Sequence, residues 1–150
     1  MAQMIDIRKA LEAHLVSIVK EESYYGFMSP SQVYVVGSIT PGIYFRKAPD
    51  DARYPYLVYN LPNNVDDGEG HLLSVLDIDG WDMPGNGDST PLENLMADVD
   101  DGVDKSTLIT DKFGAVIYIE RKLTLDDDDE RIERRKYIYQ LKLFGRGQNE

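Results

Sequence analysis

The chain has 150 residues, 42% hydrophobic and 29% charged, with 16 basic against 27 acidic side chains, two histidines and no cysteine. Such a chain suits one globular domain over residues 1–150 with a single core, and it excludes disulfides, thiolate metal sites and a cysteine nucleophile. A formal net charge of −11 repels polyanions, which argues against nucleic-acid binding driven by counterion release.

Asp6 has the chemistry of an N-cap, and Ile7, Ala10, Leu11, Leu15, Ile18 and Val19 recur at three- and four-residue steps, predicting a first helix over 6–22. Gly26 and Pro30 punctuate its exit, and the stretch through Tyr34, Val35 and Val36 to Pro41-Gly42 is too loosely patterned to assign. Residues 43–47 read as a short strand, Ala48 to Asp51 as a turn, and Tyr54 to Leu61 as a second strand. Tyr54, Tyr56 and Val58 share one face of it and Pro55, Leu57 and Tyr59 the other. Asn63 to Gly70 has the composition of an exposed loop or hairpin connection, 71–82 that of a third strand, and Met83 to Asp88 breaks it.

Ser89 or Thr90 followed by Pro91 starts a second helix, with Leu92, Leu95, Met96, Val99 and Val103 as its apolar stripe. Asp98, Asp100, Asp101 and Asp104 oppose the helix dipole at its C-terminal end, so this end frays near Gly102 or is compensated from elsewhere. Ala115, Ile117, Ile119, Leu123 and Leu125 form the buried face of a fourth strand, interrupted only by Arg121. A fifth strand sets Tyr137, Tyr139, Leu141 and Leu143 against Arg134, Lys136, Ile138, Gln140, Lys142 and Phe144, and Asp126 to Glu130 turns between the two.

These elements predict an α+β, two-layer fold: one mostly antiparallel or mixed five-stranded sheet with two helices on one face, in the order α-β-β-β-α-β-β. The opposite face then holds Tyr118, Ile138 and Phe144 beside Glu120, Lys122, Arg134, Lys136 and Lys142 with nothing to cover them, and is the candidate subunit interface. Charge is concentrated: residues 50–104 hold 14 of the 27 acidic residues and one of the 16 basic ones. A solvated surface accounts for this, and so does a face that meets a basic partner or lines a passage to which DNA must not adhere. Candidate partner contacts are Asp66, Asp67 and Glu69 in one loop and Asp126, Asp127, Asp128, Asp129 and Glu130 in the other. The second acidic run leads into Arg131, Arg134, Arg135 and Lys136, which is either a plain surface hairpin or an assembly element whose acidic tip meets a neighbour's basic strand.

Catalytic chemistry finds little support. Asp77, Asp79 and Asp82 fail the spacing of a calcium loop, and solubilising strand-end residues are the favoured account. Glu120-Arg121-Lys122 has the Glu-x-Lys form of metal-dependent nucleases of the restriction-endonuclease-like fold, but it follows the second helix instead of preceding it, and a cross-strand ion pair explains it better. His14 and His71 belong to no triad or metal motif, and Gly85-Asn86-Gly87 lacks the lysine of a phosphate loop. Trp81 and the ten tyrosines have the faces to stack bases, but in so acidic a chain packing or interface roles are expected. The expectation is a protein with no catalytic residues, no metal and no cofactor. No run of residues approaches the ~18 apolar residues of a membrane span, and Met1-Ala2-Gln3-Met4 does not open an export signal, so a soluble protein made in a cytoplasm is expected.

The amphipathic first helix followed by Ile43-Tyr44-Phe45-Arg46-Lys47-Ala48-Pro49-Asp50-Asp51-Ala52-Arg53-Tyr54-Pro55-Tyr56-Leu57-Val58-Tyr59 resembles the tail terminator (tail completion) proteins of tailed bacteriophages. There a short strand ends in an Arg-x-Ala-Pro-like turn and a Pro-Tyr-aliphatic strand follows; Ala48-Pro49 and Pro55-Tyr56-Leu57-Val58 match these features. The resemblance implies a subunit of a homo-hexameric ring in the virion, seated on the tail tube protein, stopping tube growth and offering a surface to the head-tail connector. DNA passes through such a ring without specific binding, and no membrane is involved. The Met83 to Asp88 segment and the Asp126 to Glu130 hairpin are more elaborate than that family's pattern. A head-completion or minor capsid protein of the neck, and more remotely a metal-dependent nuclease using Glu120 and Lys122, are the alternatives.

Overall fold

The computed structural model describes residues 2–19, 23–28, 31, 33–61, 64–66, 72–109 and 113–145. Helix α1 spans Ala2–Val19, so Asp6 lies inside it and is not its cap. Ala2, Gln3 and Met4 are all good helix formers, and nothing among them stops the helix from extending back past Asp6. Ile7, Leu11, Leu15 and Val19 form its buried stripe, as their spacing predicts.

Strands β1 (Ser23–Met28) and β2 (Tyr34–Ile39) pair antiparallel as a separate hairpin where no element is expected. It is rich in aromatic and β-branched residues, but Gly26 and Gly37 interrupt it and its apolar residues come in adjacent pairs such as Tyr24-Tyr25 and Val35-Val36, so it lacks the clean alternation of a half-buried strand. Val35 and Val36 point to opposite faces and both are exposed. The hairpin is held where the Tyr34 ring lies against Gly85, at a spot with no room for a side chain on residue 85.

Strand β3 (Gly42–Phe45) runs parallel to β4 (Tyr56–Asn60), which pairs antiparallel with β6 (Leu72–Asp82). The short β5 (Asn64–Asp66) also pairs with β6, so the predicted loop over 63–70 contains a strand that includes Asp66; Asp67, Glu69 and His71 lie outside the described residues. Beyond β6 come β9 (Glu133–Gly145), β8 (Phe113–Leu125) and the edge strand β7 (Thr107–Ile109), giving the order β3-β4-β6-β9-β8-β7. The fold is therefore α+β with two helices and a mixed sheet. All five predicted strands are present, and the count of five is corrected by β1, β2, β5 and β7; at three residues each, β5 and β7 are too short to show a period.

Helix α2 (Thr90–Val103) lies between β6 and β7, with Pro91 in its first turn. Its five predicted stripe residues are all buried, in one cluster with the α1 stripe and with Leu57, Tyr59, Leu76, Ile78, Ala115, Ile117, Tyr139, Leu141 and Leu143 of the sheet. The helix runs close enough to β6 that a Cβ on Gly80 would sit 2.5 Å from Met96 Sδ. Near its end it meets α1: a Cβ on Gly102 would lie 2.6 Å from Ile18 Cδ1, and His14 Nε2 is 2.7 Å from the Gly102 carbonyl. Gly102→Ala should therefore lower unfolding stability by about 1–2 kcal/mol in urea titration although alanine is the better helix former, because overpacking at the crossing exceeds the propensity gain.

The acidic end of α2 does not fray at Gly102; sheet donors compensate it. Asp100 accepts the Tyr139 hydroxyl at 2.8 Å and pairs with Lys122 at 3.0 Å, while Asp104 accepts the Ile119 amide at 2.7 Å. The second contact depends on a bulge in β8. Ile119 faces Tyr139, but the next paired residue, Arg121, faces Ile138, leaving Glu120 unpaired. One extra residue reverses every later side chain, so Lys122 turns to the helix side while Leu123 and Leu125 turn away from it, against the predicted alternation.

Candidate functional site

Cross-strand partners share a face, so the register defines the surface opposite the helices. Strand β9 contributes Arg134, Lys136, Ile138, Gln140 and Lys142, and β8 contributes Val116 and Tyr118 before the bulge and Arg121, Leu123 and Leu125 after it. Strand β6 adds Val75, Asp77, Asp79 and Trp81, β4 adds Tyr56, Val58 and Asn60, and β3 adds Tyr44. Of the predicted interface set, Tyr118, Arg134, Lys136, Ile138 and Lys142 lie here together, and the β9 backbone puts Phe144 in the same alternation. Lys122 does not: it belongs to the helix side, where its ammonium also sits 5.2 Å from the Tyr137 ring centre and its pKa is raised chiefly by the Asp100 hydrogen bond. Glu120 is exposed at the bulge, and the ion pair predicted between strands is instead made from Lys122 to the helix. The residues of the Glu-x-Lys motif thus do not converge on one site.

One end of this face is packed by rings. Tyr54 and Tyr56 stack with centroids 5.2 Å apart, Tyr56 and Trp81 stack at 6.3 Å, and the Arg134 guanidinium caps the row 4.4 Å above Trp81. Tyr44 meets Tyr56 edge-on at 5.8 Å. Tyr54, Tyr56 and Trp81 lie face to face with their neighbours in the row, an arrangement that packs this end of the surface. Arg134 also binds Asp79 at 2.5 Å and Lys136 lies 3.5 Å from Asp77. Asp77 and Asp79 are therefore paired mid-face and Asp79 is buried at 7% exposure, correcting their reading as solubilising strand ends. Sequence reasoning missed this row because it exists only once β4 lies beside β6; the signal available was that Tyr54, Tyr56 and Trp81 each occupy the non-core parity of their strands.

The middle of the face is different. Tyr118 is 52% exposed, Ile138 is half-buried beside Arg121, and Arg121 and Lys142 are exposed without an ion-pair partner among the described residues. Tyr118, with its exposed cross-strand partner Gln140 beside it, thus lies between two cations.

The Asp126 to Glu130 turn organises itself. Asp127 Oδ1 accepts the Asp129 amide at 3.0 Å, and Asp129 receives the Arg131 amide at 3.0 Å and its guanidinium at 2.8 Å. Those Arg131 hydrogen bonds hold the Asp129 carboxyl down at about 2. Asp126, Asp128 and Glu130 remain exposed, and a cleft of about 380 Å³ opens beside them, lined mainly by Thr124, Asp126, Asp127, Glu130 and Glu133, with Leu125 and Ile132 among them.

Behind it, at the helix-side end of β6, Asp82 is fully buried. Its Oδ1 accepts the Met83 amide at 2.8 Å and its Oδ2 has no hydrogen-bond partner among the described residues. Burial, and then the charge of its cross-strand partner Glu133, push the Asp82 carboxyl up to about 7. Among the described residues no group of three histidine, cysteine or carboxylate side chains is placed to hold a metal, and no helix is long and apolar enough to cross a membrane. No protein-family model matches the chain, and no curated protein matches it at a significant level.

Proposed function

We propose that this protein is a virion assembly subunit, a tail terminator that forms a ring on the tail tube of a tailed bacteriophage, stops its polymerisation and provides the joining surface for the head connector. The observation that carries this reading is the sheet face turned away from both helices, where Tyr118 is 52% exposed between cations that no described residue compensates and asks for a neighbour. The finer fold reading, two layers with the helices confined to one face, accords with it because that architecture leaves one side of the sheet for other subunits. The net charge of −11 supports it too: an acidic lumen lets DNA slide without sticking. The protein works by shape and valency, with itself, the tube protein and the connector as partners.

Mass photometry of the purified protein, alone and with tail tubes, tests this. A closed species of roughly 100 kDa is expected from six copies of the 17.0 kDa chain, capping one end of each tube in electron micrographs. A monomer at every concentration, tubes included, overturns the reading.

A further inference from the structure

The two surfaces left unsatisfied on this chain complement each other, and we infer that they meet between copies: the Tyr118 ring of one subunit enters the cleft beside the β8–β9 turn of the next, with Arg121 and Lys142 of the first against Asp126 and Glu130 of the second. This deepens the ring reading, on which it rests, by naming the contact that builds it.

Charge is the first argument. Asp126 and Glu130 are exposed on the cleft rim, and the described residues supply no cation to either. Arg121 and Lys142 are likewise exposed without an acidic partner among the described residues. All four sit on the same hairpin, but the cations belong to the middle of its stem and the acids to its tip. With β8 and β9 paired through Leu125 and Arg134, the strands hold the two sets apart within one chain. A second copy brings them together.

Shape is the second argument. The cleft of about 380 Å³ holds Leu125 and Ile132 among acidic side chains, and Tyr118 is an exposed ring with cations on either side. A ring set against Leu125 and Ile132 with paired charges around it is the anatomy of an interface hot spot. Because the two patches differ, the contact is head-to-tail: each subunit uses its face on one neighbour and its tip on the other, with no two-fold axis relating neighbours, the kind of contact that builds a ring when its rotation closes.

Charge reversal tests it. One variant carries Arg121→Glu and Lys142→Glu, the other Asp126→Lys and Glu130→Lys; all four positions are exposed, and unchanged circular dichroism melts establish that each variant folds. Each variant alone is expected to be monomeric by mass photometry, while their equimolar mixture regains the ring, since alternating subunits restore every pair in an even-numbered ring. Tyr118→Ala is expected to weaken self-association by roughly ten-fold or more, and assembly of the native chain should weaken as salt rises. If the native protein forms rings and both reversal variants form them equally well, this contact is wrong while the ring reading stands. A native protein that stays monomeric with tail tubes present removes both.

Discussion

Asp82→Asn should make the protein more stable than the native chain at pH 8, by about 2–4 kcal/mol, and leave the two indistinguishable near pH 4. In the folded state the carboxyl keeps its proton up to about pH 7, because it is fully buried and its Oδ2 finds no donor to stabilise a charge. The unfolded chain releases that proton near 3.8. Folding therefore takes up a proton between these values, so the contribution of Asp82 is complete below about pH 3.8 and is lost as pH rises through about 7. Asparagine stays neutral throughout and keeps an oxygen for the Met83 amide, so its stability does not fall over this range for this reason. Asp129 works in the opposite sense: its carboxyl is held at about 2 by Arg131, so its contribution is present at neutral pH and fades as pH falls through that value. Urea titrations of both proteins at several values between pH 4 and pH 8 measure the difference. Parallel curves for the native chain and the variant would mean that Asp82 is ionised in the fold.

Much of this architecture is legible in the residues, and the parts that are not share a cause. The α2 stripe, the parity of β4 and the two faces of β9 follow from single-element periodicity, and each places the predicted side chains in the core. What escapes is whatever depends on a second element. Asp79 reads as a surface acid until Arg134 is known to lie diagonally across from it on the neighbouring strand. Tyr54, Tyr56 and Trp81 read as scattered aromatics until β4 and β6 align. The bulge is an intermediate case. Arg121 stands where the alternation from Ala115 demands an apolar residue, and that misfit marks the place where the strand changes parity. Taken as an interruption, it leaves Lys122 on the interface and Leu123 in the core; taken as a shift in register, it exchanges them. The sheet face away from the helices was legible to the same degree: the alternation of β9 assigns its residues to that face, and the alternation of β8 does so only up to Ile119.

The network created by that shift is the place where one substitution should cost most. Asp100→Ala is expected to destabilise the protein by about 2–4 kcal/mol in urea titration, because it strands a buried donor and dissolves an ion pair together. Tyr139 is fully buried, and burial followed by the Asp100 hydrogen bond holds its hydroxyl well above the usual phenol range. Without the carboxylate that hydroxyl has lost the acceptor it uses in the fold. Lys122 loses its only ion pair among the described residues, but half of its side chain is exposed, so it returns to water at little cost. Tyr139→Phe alone should cost about 1 kcal/mol, the net worth of one hydrogen bond. In the double variant no hydroxyl is left to satisfy, so its loss should be smaller than the sum of the two single losses, by at least ~0.5 kcal/mol. Additive losses would mean that the hydroxyl finds another acceptor and that Asp100 acts only through Lys122. The location also ties this measurement to assembly. Asp100 anchors α2 to both strands of the hairpin whose outer side carries Tyr118 and Arg121 and whose end carries the acidic turn. Loosening the anchor should raise amide exchange across β8 on either side of the bulge before it unfolds the chain, and weaken ring formation without altering any residue of the contact itself.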